Sequence, residues 1–173
     1  VRRDMTHPDG GFYSAEDADS TDPATGEHAE GAFYVWTADE IRDVLGEEAA
    51  LFIRHHGVEE AGNVSPANDP HREFRGKNIL VGRTSIEDTA KAFDLKVKAA
   101  SDSIKRSRQA LFGHREARPR PHLDDKVITA WNGLMISAYA RAYRGLGRAA
   151  DIDSAVRAAV FIRTQLWDSA AGR

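Results

Sequence analysis

Cysteine is absent from the 173 residues, which excludes disulfides, thiolate zinc sites and a cysteine nucleophile within this stretch. A chain without thiols is compatible with either redox compartment. No apolar run approaches the ~18 residues that a membrane-spanning helix needs. The loops that cradle nucleotides are missing too: no Gly-x-x-x-x-Gly-Lys-Ser/Thr occurs, and no Gly-x-Gly-x-x-Gly follows a strand pattern. Seven histidines are present, yet none are spaced as His-x-x-x-His or His-Glu-x-x-His, so neither a metal nor a cofactor is expected. A net charge of −3 gives no general attraction for nucleic acid. The basic stretch from Lys105-Arg106 to Arg120 holds Phe112 as its one aromatic, and reads as a solvated helix face running into a linker.

What is present is a globular composition, 41% hydrophobic and 29% charged, enough for one domain with a sizeable core. The charge is unevenly laid out. Residues 1–80 hold 17 acidic against 7 basic side chains, and residues 81–173 hold 10 against 17. Such a split fits an acidic site facing a basic brace, or two unlike solvated surfaces. The chain opens on Val1-Arg2-Arg3-Asp4 without an apolar leader and closes on Trp167-Asp168-Ser169 just past a helical pattern. Both ends therefore read as internal to a longer protein, with a cytoplasmic location expected.

Residues 10–19 and 31–37 are both Gly-led, aromatic and β-prone, so residues 1–36 read as a β-hairpin with a long polar loop at 20–30. Thr37-Ala38-Asp39-Glu40 is a capping box that starts a helix with Ile41, Val44 and Leu45 on one face. After Gly46 a second helical piece, 47–56, turns Leu51, Phe52 and His55 inward. Asn78-Ile79-Leu80-Val81 reads as a short strand. A capped start at Thr84-Ser85-Ile86-Glu87 opens helical sequence to about Phe112, broken near Asp94. Residues 113–125 read as a linker. Between Lys126 and Arg144, Val127, Trp131, Leu134, Met135, Ala138, Ala142 and Tyr143 recur at helical spacing. Gly145-Leu146-Gly147 ends that helix and a second follows to Trp167, an αα-hairpin over 126–167. The fold class is mainly α with a β-hairpin insertion.

Two long motifs carry a resemblance: Asp4-Met5-Thr6-His7-Pro8-Asp9-Gly10-Gly11-Phe12-Tyr13-Ser14-Ala15-Glu16-Asp17-Ala18-Asp19-Ser20 and Pro119-Arg120-Pro121-His122-Leu123-Asp124-Asp125-Lys126-Val127-Ile128-Thr129-Ala130-Trp131-Asn132-Gly133-Leu134-Met135. Glu30-Gly31-Ala32-Phe33-Tyr34-Val35-Trp36 and Gly76-Lys77-Asn78-Ile79-Leu80 match as well. The sequence resembles the spermatogenesis-associated thioredoxin-like family and its bacterial relatives. The resemblance implies a central slice of a six-hairpin (α/α) toroid similar to glycosidases and N-acylglucosamine 2-epimerase. It also implies an upstream thioredoxin-like domain and the rest of the toroid as partners, with a sugar or glycan as substrate.

The residues themselves offer two candidate sites. If 12–19 is extended, Tyr13, Asp17 and Asp19 share one face, with Phe12, Ser14 and Glu16 on the other. Paired carboxylates beside an aromatic suit acid–base work across a sugar ring, or a hard cation, or simply a polar strand end leading into a loop. The second candidate is Arg120 and His122 through Asp124, Asp125 and Lys126, feeding a helix with Trp131 and Asn132. An indole near amide and carboxylate groups is the composition of a sugar platform. Its alternatives are a capped helix start and a core tryptophan. Because epimerases of the resembling fold use histidine as acid and base, His7 and His122 are expected proton carriers. The expected catalytic set is thus Asp17, Asp19, Asp125, His7 and His122. Tyr13, Glu16, Arg120, Asp124, Lys126, Trp131 and Asn132 are expected to bind substrate.

Overall fold

The computed structural model describes residues 1–172, and the helices that start at Ala38 and Ile86 are capped by the Thr37 and Ser85 side chains. The chain is mainly helical with two small antiparallel sheets among these residues. It divides into two compact units, Ala18–Pro121 and a second built from Val1–Asp17 with the described residues from His122 onward.

In Ala18–Pro121, β2 (Asp19–Thr21) pairs with β3 (His28–Glu30), setting Asp19 opposite Glu30 and Thr21 opposite His28. The turn between them closes through Asp22, whose carboxylate accepts from the Ala24 amide at 2.8 Å and from Lys77 Nζ at 2.9 Å. Ser20 is buried and its hydroxyl accepts from the Phe33 amide at 2.9 Å. The segment expected to be a long polar loop at 20–30 is therefore itself the hairpin. Residues 31–37 form no strand with 10–19; they turn through Gly31, at φ 66°, into helix α1 (Ala38–Leu45). Thr37 and Glu40 form the expected capping box. Glu40 has a second task, because its other carboxylate oxygen accepts from Arg118 Nη2 at 3.1 Å.

A 3-10 turn at Gly46–Glu48 leads to α2 (Ala49–His56), capped by Gly57 in the left-handed conformation. It is His56, not His55, that is buried here, stacked on Phe52 at 3.9 Å between ring centres. The expected strand at 78–81 is reduced to a single bridge between Trp36 and Asn78. Asn78 is fully buried, and its side chain accepts from the Glu59 amide and donates to the Trp36 and Glu59 carbonyls. Helix α3 (Ile86–Ala92) starts at the Ser85 cap, and α4 (Val97–Arg115) follows a break where Asp94 adopts φ 50°. Trp36, Ile41, Leu51, Phe52, Ala100, Ile104 and Leu111 form the core. Beyond α4 the chain is no free linker. Arg118 is buried and donates to the carbonyls of Ala32, Phe33 and Val35, with its guanidinium 4.0 Å from the Trp36 ring centre.

In the other unit, β1 (Ala15–Glu16) pairs with β4 (Leu123–Asp124), Ala15 opposite Asp124 and Glu16 opposite Leu123. The expected partner of residues 10–19 is thus replaced by one from the far end of the sequence. Helices α5 (Thr129–Leu146) and α6 (Ala149–Phe161) form the αα-hairpin, hinged at Gly147 with φ 68°. Gly10 and Gly11 let the N-terminal segment lie against α6. A Cβ on Gly10 would sit 2.7 Å from the Arg157 carbonyl oxygen, and one on Gly11 2.8 Å from the Phe161 ring. Phe12, Ala155, Ala158 and Phe161 are buried. Asp151, also buried, is paired with Arg148 at 2.9 Å and Arg2 at 3.3 Å. No helix among the described residues is long and apolar enough to cross a membrane.

Candidate functional site

The two motifs singled out from the sequence meet through the β1–β4 ladder. Beyond the paired residues, the Asp17 amide donates to the His122 carbonyl at 2.8 Å, and the Ser14 hydroxyl donates to the Asp124 carbonyl at 3.0 Å. Glu16, Asp17, His122, Asp124 and Asp125 are therefore held on one short ribbon at the entrance to α5. Strand pairing fixes their backbones, so the side chains start from set positions.

Asp124 is chelated by Lys126, whose Nζ lies 2.7 Å from both carboxylate oxygens. The Lys126 ammonium, with help from Ser14, holds the Asp124 carboxyl below the usual carboxylate range. Asp124 is thereby kept ionised and suits an acceptor role better than proton donation. Asp125, Asp17 and His122 are solvent-exposed. Trp131, in the first turn of α5, is 55% exposed.

Asn132 goes the other way. Its side chain is 1% exposed; Oδ1 accepts from the Phe12 amide at 2.7 Å, and Nδ2 donates to the Phe12 carbonyl at 2.9 Å and the Ile128 carbonyl at 3.0 Å. Its amide, expected to meet substrate hydroxyls, is instead engaged in fixing the N-terminal segment to α5. His7 lies in the same unit, half-buried between Tyr13 at 5.9 Å and Phe161 at 5.1 Å, with Nδ1 accepting from the Asp9 amide at 3.0 Å. An accepting Nδ1 places the neutral ring's proton on Nε2. Tyr13 is half-buried and its ring is this edge contact of His7.

Two expected site residues belong to the other unit. The extended run assumed for 12–19 ends at Asp17, and Asp19 starts β2 instead. There it adds to the acidic surroundings of Glu30, whose carboxyl is raised chiefly by hydrogen bonding to and repulsion from Glu73. No group of three or more His, Asp or Glu among the described residues is arranged to hold a metal ion. Arg120 lies 3.6 Å from Glu116 and 5.1 Å from the centre of the Phe33 ring.

Sequence reasoning also missed residues of this second unit. Arg115 sits over three rings, Phe33 and Tyr34 at 5.2 Å and Phe112 at 5.5 Å. Phe33 and Tyr34 come from a segment distant in sequence and Phe112 from the preceding turn of the same helix, so a run of basic residues at 105–120 was the main available signal.

No family model matches the sequence. Curated relatives do. Along its whole length the chain is similar to a segment of spermatogenesis-associated protein 20. It is 42% identical to the Homo sapiens protein over 183 aligned positions and 38% identical to that of Mus musculus, covering 100% of this chain in both cases. An uncharacterized protein of Caenorhabditis elegans is 36% identical over 173 positions, 95% of this chain. The chain spans 23% of the length of the two spermatogenesis-associated proteins and 24% of the nematode protein. These similarities agree with a fragment of the spermatogenesis-associated protein 20 kind.

Proposed function

We propose that this chain is a segment of a carbohydrate-handling helical domain, an (α/α) toroid of the six-hairpin type, within a longer protein related to spermatogenesis-associated protein 20. The observation that carries the reading is the 55% exposed Trp131 indole, one turn into a helix that follows Asp124, Asp125 and Lys126. A sugar ring stacks its apolar face on an indole and satisfies its hydroxyls with carboxylates and cations beside it. In this reading Trp131 is the platform and Asp124, held ionised by Lys126, accepts from hydroxyls. Asp17, Asp125 and His122 exchange protons with the substrate, in epimerisation or in glycoside hydrolysis. The thioredoxin-like domain, if joined as in the resembling family, is a partner in the same chain.

The test is turnover by the longer protein on a panel of sugars and glycosides. Asp17→Asn and Asp125→Asn preserve shape while removing the proton-exchanging group. Each is expected to lower turnover by about 10²–10⁴-fold with little change in melting temperature. Wild-type turnover in both variants would contradict the assignment.

A second reading has an observation of its own. Leu134 is 72% exposed and Leu146 62%, with Tyr143, Val156 and Val160 also exposed on the same two helices. Apolar exposure on that scale fits a docking face covered by another part of a longer protein, and makes the hairpin a non-catalytic scaffold. Under it, neither Asn variant affects turnover and Leu134→Asp disrupts assembly.

A further inference from the structure

Within Ala18–Pro121, a pocket of about 270 Å³ opens beside α4. Its floor is Trp36, Phe52 and Leu111, all at most 3% exposed, with His56 stacked on Phe52. His56 Nδ1 lies 3.1 Å from the Phe52 carbonyl oxygen. A carbonyl can only accept, so that nitrogen carries the proton. Leu80, Phe112, Arg108 and Arg115 complete the lining, and no carboxylate is part of it.

These two arginines differ from the others near them on the chain. Arg106 is paired with Glu48 and Arg118 with Glu40. Among the described residues, neither Arg108 nor Arg115 has a carboxylate within ion-pair distance. The Nε atoms of Arg115 and Arg118 are both buried without a hydrogen-bond partner, and of the two only Arg115 lines the pocket, its guanidinium flanked by the rings of Phe33, Tyr34 and Phe112. A buried cationic donor left unmatched is costly, and such groups in native folds call for a partner. Two guanidinium groups lining an aromatic-floored cavity recognise an oxyanion that carries an apolar body.

We propose that this pocket binds a small organic oxyanion, a carboxylate or a phosphate ester, with its charge on Arg108 and Arg115 and its apolar body against Trp36 and Phe52. The site is separate from the residues assigned above to sugar chemistry and does not depend on that assignment. Guanidinium forks pair two N–H donors with two oxyanion oxygens, so the geometry favours planar carboxylate or tetrahedral phosphate alike.

Calorimetric titration with benzoate, phenyl phosphate and benzyl alcohol tests it, and the two anions tell carboxylate from phosphate recognition. Saturable binding of at least one anion is expected, with benzyl alcohol at least about tenfold weaker. Arg108→Gln and Arg115→Gln are each expected to weaken the bound anion by about tenfold or more. Arg106→Gln, on the same helix but already paired with Glu48, should leave affinity unchanged. Should Arg115→Gln fail to fold, the exposed Arg108 decides the matter alone. Absence of saturable binding by both anions, equal affinity for benzyl alcohol, or equal loss in Arg106→Gln would overturn the proposal.

Discussion

The amide of Asp17 donates to the carbonyl of His122 at 2.8 Å, and this bond ties together two chain segments that the sequence keeps far apart. Its neighbours are the β1–β4 pairs of Ala15 with Asp124 and Glu16 with Leu123. A two-residue ladder is weak by itself. It holds because the segment before it is clamped by Asn132 and lies against α6 through Gly10 and Gly11. The exposed acids at the start of α5 owe their positions to that packing.

Replacing Asn132 tests the clamp. Asn132→Leu keeps the volume but leaves the buried amide and carbonyl of Phe12 without partners. A loss of about 2–4 kcal/mol is expected in urea unfolding. Wild-type stability together with loss of ligand binding would show that Asn132 faces substrate after all.

The turn of the β2–β3 hairpin offers a second test. Burial pushes the Asp22 carboxyl up, but the Lys77 ammonium and the Ala24 and Thr25 amides outweigh it and hold the group below its ordinary value. Such a lowered carboxylate contributes stability above its unfolded pKa, and that contribution fades as pH falls through the folded value. Lys77→Met should cost about 2–3 kcal/mol near neutral pH, short of a fully buried pair because Lys77 keeps some solvent contact. The difference from wild type should shrink in acid. An undiminished difference at pH below the carboxylate range would count against the ion pair as its source.

His56 sets a third. Burial, with a smaller contribution from the nearby charges of His55 and Arg108, lowers its pKa from 6.5 to about 4, against the opposing bond to the Phe52 carbonyl. The unfolded chain therefore binds a proton between pH 6.5 and about 4 that the folded chain refuses. Stability should rise with pH across that window and level off above it, by about 2 kcal/mol after allowance for solvent screening. Urea midpoints from pH 4 to 7 measure this, and His56→Gln should flatten the slope. An equal slope in the variant would assign the effect elsewhere.

What the sequence revealed was local. The Thr37–Glu40 capping box, the break at Asp94 and the left-handed glycine after α5 depend on residues within four positions and are found as read, and the capped start expected at 84–87 is present with Ser85 as the cap, accepting from the Asp88 amide. The strand pairings are not local, and the hairpin was placed between the wrong segments. His55 and His56 fit the apolar face of the 47–56 piece equally by spacing, four residues after Leu51 and four after Phe52, and it is His56 that stacks on the buried Phe52 ring. The candidate site was legible in composition around Asp124 and Trp131. Asn132 was misread because its partner, the Phe12 backbone, has no signature in sequence. Arg115 and Arg118 were hidden the same way, since most of their rings and carbonyls come from residues 32–36.

The most direct test of the carbohydrate assignment is sugar binding by the longer protein with and without the Trp131 indole. The account predicts that Trp131→Ala weakens binding of the cognate sugar by about tenfold or more. Unfolding free energy should stay within about 0.5 kcal/mol, as expected for an exposed side chain. A loss of about 3–5 kcal/mol in stability with sugar affinity intact would mark Trp131 as a packing residue and contradict the account.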